Sequence, residues 1–177
     1  MKSADIPRVI ELVNLAFMED AFFKVPSKHK RLKTNPTDIE GVERIEDLLE
    51  KSQFLVYENP QHLLLGCIRV ETVKPQLGSF GMLSVPMPYA NKGIGKLLVL
   101  EAEKWLSSKN CQRVEISVVN IRENVIQFYE KLGYRSFGDS IDFDEYCGET
   151  FLLKKYKGIV KFITMGKDLS DNLESSL

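Results

Sequence analysis

A glycine-containing loop that continues without interruption into an amphipathic helix constrains this chain more than any other feature. The loop lies in the stretch MPYANKGIGKLLVLEAEKW, residues 87–105, with glycines at Gly93 and Gly95. Apolar residues recur at helical spacing over 93–108, which predicts the strongest helix in the chain. Glycine lets the backbone approach a ligand closely, and a helix N-terminus presents unpaired N–H groups with partial positive charge. The junction is therefore suited to binding an anion.

Two common phosphate-binding patterns do not fit this loop. A P-loop requires a glycine five residues before the Gly-Lys pair and a Ser or Thr after it, but these places hold Ala90 and Leu97. A dinucleotide fingerprint requires a third glycine where this chain has Leu98. A nucleotide-dependent enzyme is thus disfavoured, and a glycine turn that only starts a helix is the structural alternative to an anion site.

The rest of the chain predicts a mixed α/β sheet packed by helices. Two helices come first, at residues 5–20 and from Thr37 or Asp38 to residue 49, with a basic loop between them. The expected strands are 54–58, 63–72, 79–85, 113–119, one that starts at Tyr134, and 161–169, with a helix at 123–132 that ends at Gly133. A hairpin followed by a β-α-β-α-β order indicates one sheet covered by helices.

Composition excludes several functional classes. The 177 residues carry a formal net charge of -1, so no overall field favours nucleic acid or an anionic membrane. The sequence contains neither an apolar run of roughly 18 residues nor a secretory signal, and we expect a cytoplasmic protein. Cys67, Cys111 and Cys147 form no CxxC pair, and the chain has only two histidines. We therefore expect buried free thiols and no metal site.

A second segment, NVIQFYEKLGYRSFG at residues 124–138, gives the glycine loop a context. The pair GIGKLLVLEAEKW and FYEKLGYR resembles the GNAT superfamily of N-acetyltransferases, which use acetyl-coenzyme A (acetyl-CoA). The close resemblance covers residues 79–138, and the order of elements extends it over 5–169. It implies a GNAT-like fold, in which about four helices flank a central mixed sheet that splays between two adjacent parallel strands.

The resemblance also implies how the chain is organised. We expect a single N-acetyltransferase domain over residues 1–177, with its motif-bearing core at 54–168 and a flexible tail at 170–177. Only residues 1–4 precede the first helix. The first edge strand of the family is therefore expected to be short or absent.

The resemblance further implies a coenzyme site. Strands 79–85 and 113–119 are expected to be parallel and to splay apart, and a bulge near residues 81–83 would free a main-chain N–H for the thioester oxygen. Tyr129 would act as the general acid that protonates the leaving thiolate, with a packing role as its alternative. The coenzyme-binding candidates are Leu83, Ser84, Val85, Ala90, Asn91, Lys92, Gly93, Ile94, Gly95, Lys96, Arg122, Phe128 and Tyr129.

The chain departs from the family pattern at two of these positions. Ala90 stands where Gln or Arg is usual, so binding there would depend on main-chain donors with help from Asn91, Lys92 and Lys96. Arg122 stands where many members carry Asn, as in a small, poorly characterised branch of the family. Arg122 would contact the coenzyme or substrate, or form a salt bridge with Glu123 or another carboxylate.

The sequence offers two candidates for the base that deprotonates the acceptor. A primary ammonium with a pKa near 10.4 is almost fully protonated at neutral pH, so a base or a water relay must remove its proton. Many relatives use a Glu on the strand before the glycine loop, but SFGMLSV contains no acid. Glu71 and Glu115 are the candidates, and a surface salt bridge is the alternative for each.

These features predict an N-acetyltransferase, an acyltransferase of the EC 2.3.1 type. It would transfer the acetyl group of acetyl-CoA to a primary amine by direct attack in a ternary complex. The alternative is a catalytically silent module that binds CoA or acetyl-CoA as a sensor or partner subunit. Small amines, amino acids, polyamines and proteins all stay open as acceptors. The basic loop 24–33 would be solvated, steer an acidic acceptor or reach the coenzyme 3′-phosphate.

A homodimer is a further expectation, in which strand 161–169 would pair with the same strand of a second copy.

Overall fold

The computed structural model of the chain describes residues 5–18, 32–33, 43–143, 145 and 154–169. Within these residues it forms four α-helices, eight strands and two short 3-10 turns. The helices are α1 (Ile6–Met18), α2 (Ile45–Lys51), α3 (Ile94–Ser108) and α4 (Glu123–Lys131). The strands are β1 (Leu32–Lys33), β2 (Glu43–Arg44), β3 (Gln53–Glu58), β4 (Leu64–Lys74), β5 (Leu77–Ser84), β6 (Arg113–Val119), β7 (Arg135–Asp142) and β8 (Lys161–Asp168).

Six of the strands form one mixed sheet in the order β3-β4-β5-β6-β8-β7. In this sheet β5 and β6 pair in parallel, and the other neighbouring pairs are antiparallel. The two-residue strands β1 and β2 pair with each other in parallel. The predicted α/β fold is confirmed, and β6 has the predicted bounds.

The parallel pair β5–β6 is short, and the two strands then separate. Their register contains only the pairs Leu77–Arg113 and Gly78–Val114, although both strands continue beyond them. The splay predicted between these strands is therefore confirmed.

A β-bulge in β5 adjoins the separation. From the pair Arg69–Gly81 to the pair Cys67–Ser84, β4 passes two residues and β5 passes three. Met82, inside this step, has a φ of 50°, which matches the extra residue of a bulge. The bulge predicted near residues 81–83 is confirmed.

Two hydrophobic layers cover the sheet. The layer beneath α3 and α4 contains Ile68, Val70, Phe80, Val99, Leu106, Val114, Ile116, Val118, Tyr129, Tyr134 and Met165. The layer beneath α1 and α2 contains Val9, Leu12, Val13, Ile45, Phe54, Leu64 and Cys67, with Met82 packed against it. Each fully buried side chain of this size contributes roughly 1.5–3 kcal/mol. No helix among the described residues has both the length and the apolar character needed to cross a membrane.

A buried polar network ties α3 to β8. The Tyr134 hydroxyl donates to Glu103 Oε1 at 2.9 Å. Lys167 Nζ donates to both oxygens of the same carboxylate, each at 2.9 Å. Because Glu103 is only 3% exposed, these bonds compensate the cost of burying its charge. Burial, with the Glu103 carboxylate beside it, raises the pKa of Tyr134.

Two of the three cysteines lie in the described part of the chain, and both are buried free thiols, as predicted. Cys67 is fully buried on β4, and burial raises its pKa to about 12. Cys147 lies outside the described residues.

The second helix is shorter than predicted. It begins at Ile45, because Glu43 and Arg44 form strand β2, and the predicted N-cap residues Thr37 and Asp38 lie outside the described residues. Its partner β1 lies within the segment that was predicted to be a loop, and neither two-residue strand has a local signal in the sequence. Residues 1–4, the rest of the basic loop at 24–31 and the tail at 170–177 lie outside the described residues.

Replacing Gly78 with valine is expected to lower the free energy of unfolding by about 1–3 kcal/mol. A Cβ added at Gly78 would lie 2.5 Å from Leu106 Cδ2, so the substitution overpacks the contact between β5 and α3. Urea unfolding measures the loss. Gly81→Ala is the matched control on the same strand, because a Cβ there meets no atom within 4 Å. An equal effect of the two substitutions would contradict this tight packing.

Candidate functional site

The separation of β5 from β6 opens a cavity of about 750 Å³. Its walls include Val13 and Met82 from the α1 side of the sheet and Phe128 and Tyr129 from α4 on the opposite side. The cavity therefore passes through the sheet, between the two strands.

The glycine loop forms one end of this cavity. After a 3-10 turn at Met87–Tyr89, Ala90 N–H donates to the Met87 carbonyl at 3.1 Å. Asn91 and Gly93 then have φ values of 60° and 83°, which turn the chain into α3. Gly93 is the N-cap, in the left-handed conformation that glycine adopts without strain.

The first turn of α3 is available to a ligand. In the described part of the chain, no side chain hydrogen bonds to this end of the helix as a cap. Residues Ala90, Asn91, Gly93, Gly95 and Lys96 line the cavity. The N-terminal N–H groups and the partial positive charge of α3 therefore lie at a cavity wall, where they suit an anionic group.

Gly95 keeps the cavity open beside this helix end. A Cβ built on Gly95 would lie 3.7 Å from Phe128 Cζ and 3.9 Å from Leu83 Cδ2. All three residues line the cavity, so a larger side chain at Gly95 would occupy it.

Most of the predicted coenzyme-binding residues are brought together here. The residues that line the cavity are Leu83, Ser84, Val85, Ala90, Asn91, Gly93, Gly95, Lys96, Arg122, Phe128 and Tyr129. Lys92 and Ile94 do not line it. Lys92 Nζ lies 5.5 Å from the centre of the Tyr89 ring, and the Ile94 side chain is buried in the core beneath α3.

Tyr129 belongs both to the core and to the cavity wall. Its ring centre lies 5.0 Å from that of Phe128, 5.7 Å from that of Tyr134 and 5.9 Å from that of Phe80. Burial raises the pKa of Tyr129, and the positive charge of Arg122 partly opposes this rise. The phenol is therefore neutral at physiological pH and is able to donate a hydrogen bond or a proton.

Arg122 lies at the turn from β6 to α4. Its N–H donates to the Val119 carbonyl at 3.1 Å, and its carbonyl accepts from Val125 N–H at 2.9 Å and Ile126 N–H at 3.0 Å. The half-buried side chain lines the cavity, and desolvation lowers the pKa of its guanidinium.

The cavity wall is positively charged. Among the lining residues that the structure describes, Lys96 and Arg122 carry charge and none is a carboxylate. Together with the N-terminus of α3, these cations favour an anionic ligand.

The two candidate bases lie outside the cavity wall. Glu71 accepts bonds from Arg69 at 2.8 Å and 3.2 Å, and Glu115 Oε1 accepts one from Arg113 Nε at 2.9 Å. Arg113 Nη1 also donates to Asp168 at 2.8 Å. Each glutamate thus has an arginine two residues before it on its own strand, and neither lines the cavity.

Other lining residues were not singled out from the sequence. They include Val13 on α1, Ser117 on β6 and Asn124 on α4. The alternation of RVEISVV places Ser117 on the face opposite Ile116 and Val118, a detectable signal once β6 is known to border a splay. Val13 has no such signal, because its place at the cavity depends on how α1 packs across β5.

Comparisons with known proteins agree with this geometry. The model of the acetyltransferase (GNAT) family matches residues 17–134. A Chlorobaculum tepidum protein described as an uncharacterized N-acetyltransferase is 26% identical over 91 residues, which are 51% of this chain and 56% of that protein. The match therefore spans little more than half of that relative's length.

Solved structures share the fold. A Streptococcus mutans protein superposes with a TM-score of 0.67 at 22% identity, covering 96% of each chain. A Bacillus subtilis acetyltransferase in complex with CoA superposes with a TM-score of 0.62 at 20% identity, covering 70% of this chain and 81% of that one.

Stability is expected to fall as the pH rises above about 10, the ordinary pKa of tyrosine. The folded state keeps Tyr129 and Tyr134 neutral at pH values where the unfolded chain ionises them. The contribution of the two neutral phenols to the free energy of unfolding is complete below about pH 10 and is lost at higher pH. Tyr129→Phe removes one of these two titrating groups. Urea unfolding at intervals from pH 8 to 12 should give a shallower decline in the variant, by up to about 1.4 kcal/mol per pH unit. Equal slopes above pH 10 would contradict the raised pKa of Tyr129.

Proposed function

This chain belongs to the GNAT family of acetyltransferases, and from that membership we propose that it transfers the acetyl group of acetyl-CoA to a primary amine. The amine would attack the thioester directly, in a ternary complex. One observation carries the proposal: a single cavity joins the N-terminus of α3 to Tyr129 through the gap between β5 and β6. The Bacillus subtilis structure of the same fold is a complex with CoA, which supports the same ligand here.

The diphosphate of acetyl-CoA would bind at the glycine loop. Its charge suits the N–H groups of the first turn of α3 and the ammonium of Lys96. Ala90 supplies no side-chain donor, so this contact is mainly with main-chain groups. Gly95 leaves room for the ligand beside Phe128.

The pantetheine arm would run along the gap between β5 and β6. The unpaired edges of separated strands carry N–H and C=O groups that suit an amide-bearing chain. We assign the donor for the thioester oxygen to the main chain of residues 83–85, next to the bulge. Such a preorganised donor contributes about 2.7–4 kcal/mol in other acyl transfers.

The proton balance of the reaction assigns roles to Tyr129 and Glu71. The amine nitrogen bonds to the carbonyl carbon, the carbon–sulfur bond breaks, and the Tyr129 hydroxyl donates a proton to the departing sulfur. Before the attack, the ammonium loses one proton through water to Glu71, which pairs across the sheet with Ser79, two residues before Gly81 at the cavity. After the attack, the nitrogen loses its second proton, which returns through water to the Tyr129 phenolate and restores the phenol. Glu115, two residues before Ser117 at the cavity, is the other candidate, and it shares its arginine with Asp168.

A silent module that binds acetyl-CoA is the competing function. It is favoured by the lack of a carboxylate among the described residues that line the cavity. Release of the CoA thiol with a panel of amines separates the two functions, because a silent module binds acetyl-CoA and releases no thiol with any amine. We place either activity in the cytoplasm.

Lys96→Gln is expected to weaken acetyl-CoA binding about tenfold, which corresponds to the loss of one charge-assisted contact. Lys104→Gln is the matched control, because Lys104 lies on the same helix, is exposed and pairs with Glu101 outside the cavity. Isothermal titration calorimetry measures both. Equal affinities of the two variants would remove Lys96 from the site, and no binding by the unmodified protein would overturn the proposed function.

Tyr129→Phe is expected to lower kcat about 100-fold, the scale of a lost general acid, and to leave acetyl-CoA affinity within about threefold. Thiol release at saturating amine gives kcat, and calorimetry gives the affinity. A variant with full kcat would restrict Tyr129 to packing against Phe80, Phe128 and Tyr134.

A further inference from the structure

The cavity has a second end, on the face of the sheet covered by α1. Ile116 and Val118 of β6 pack beneath α3 and α4, so the alternating residues Ser117 and Val119 face the α1 side. Met82 packs with the α1 layer, and Val13 belongs to α1 itself. These residues all line the cavity, and they lie on the α1 side of the sheet.

This wall, which we call the acceptor wall, consists of Val13, Met82, Ser117 and Val119. Three of its four members are apolar, and the Ser117 hydroxyl is the polar side chain among them. Ser84, two residues after Met82 on β5, donates its hydroxyl to the Met82 carbonyl at 3.2 Å. The acceptor wall therefore offers a ligand apolar surface and one hydroxyl.

Among the described residues, the charged side chains on the α1 face near the acceptor wall form ion pairs within the protein. Arg69 pairs across β4–β5 with Gly81 and is therefore on the α1 face, but its guanidinium forms two bonds with Glu71. Glu115 precedes Ser117 on the same face of β6 and is bound by Arg113. A second charge on an acceptor would meet no compensating group on this wall, and its desolvation would oppose binding.

Gly81 leaves open space at the same place. A Cβ built there meets no atom within 4 Å, and Gly81 lines the cavity. Since Gly81 pairs with Arg69 on the α1 face, this space adjoins the acceptor wall.

We infer that the acceptor is a primary amine on an uncharged, apolar carrier, and that Val13, Met82 and Val119 bind this carrier. The inference rests on the proposed function and specifies its substrate class. It disfavours polyamines and amino acids, whose second charge would lie against the acceptor wall.

A matched series of linear amines tests the inference. Hexylamine and 1,5-diaminopentane have similar lengths and differ in ending with a methyl or an ammonium group, and 5-aminopentanoate ends with a carboxylate. The expected kcat/KM for hexylamine exceeds that for 1,5-diaminopentane and that for 5-aminopentanoate by about tenfold or more, because each of these carries a second charged group. If 1,5-diaminopentane or 5-aminopentanoate had a kcat/KM equal to or above that of hexylamine, the inference would be overturned. The acetyltransferase function would still stand.

Three variants locate the preference on this wall. Ser117→Asp places a carboxylate there and should shift the ratio toward 1,5-diaminopentane by about tenfold. Ser136→Asp adds the same charge at an exposed position on β7, two strands from β6, and should leave the ratio unchanged. Gly81→Val should fill the open space and reduce transfer to all three amines while acetyl-CoA binding persists. An unchanged ratio in Ser117→Asp would overturn the assignment of the wall.

Calorimetry separates failure of the inference from failure of the proposed function. Each amine is titrated into the CoA-bound protein, with no chemical step required. Tighter binding of hexylamine supports the inference even if no thiol is released from acetyl-CoA, an outcome that would instead overturn the transferase function. If none of the three amines bound, the inference would be overturned.

Discussion

The site depends on the incomplete pairing of two parallel strands. β5 and β6 pair at Leu77–Arg113 and Gly78–Val114 and then separate. Close packing of Leu106 on Gly78 fixes the paired end, and the bulge at Met82 redirects β5 beyond it. Backbone groups that a continuous ladder would satisfy are thereby left for a ligand. The cavity, the position of the glycine loop and access from both faces all follow from this arrangement.

The helices beside the cavity are held by contacts of different chemical kinds. Toward its C-terminal half, α3 is anchored by Glu103, which binds Tyr134 and Lys167. The packing of Tyr129 against Phe80 and Tyr134 anchors α4. Neither set of contacts caps the first turn of α3, so the core positions this helix end and leaves it open to the cavity. A rigid support of this kind reduces the ordering cost of binding.

The parts of the fold with strong local signals could be predicted from the sequence. RVEISVV alternates regularly and became β6 with the predicted bounds, and the apolar period after Gly93 became α3. The bulge near Met82 and the splay came from the family resemblance. The start of α2 could not be predicted, because β2 exists only through its pairing with β1, a contact between segments about ten residues apart.

The candidate site shows the same division between local and distant signals. The glycine loop and Tyr129 lie in recognisable motifs, and the structure brings them to one cavity. Glu71 and Glu115 could both be seen in the sequence as candidate bases. Each is preceded two residues earlier by an arginine, and on a strand residues two apart lie on the same face. That spacing was a usable sign that Glu71 and Glu115 are paired. Val13 reaches the cavity through the packing of α1, which no short pattern encodes.

The burial of Cys67 has a consequence for the proposed use of acetyl-CoA. A thiol attacks a thioester or a disulfide as the thiolate, and the pKa of about 12 keeps Cys67 protonated at physiological pH. The side chain is also fully buried. Cys67 is thereby protected from acetylation by acetyl-CoA and from exchange with a CoA disulfide.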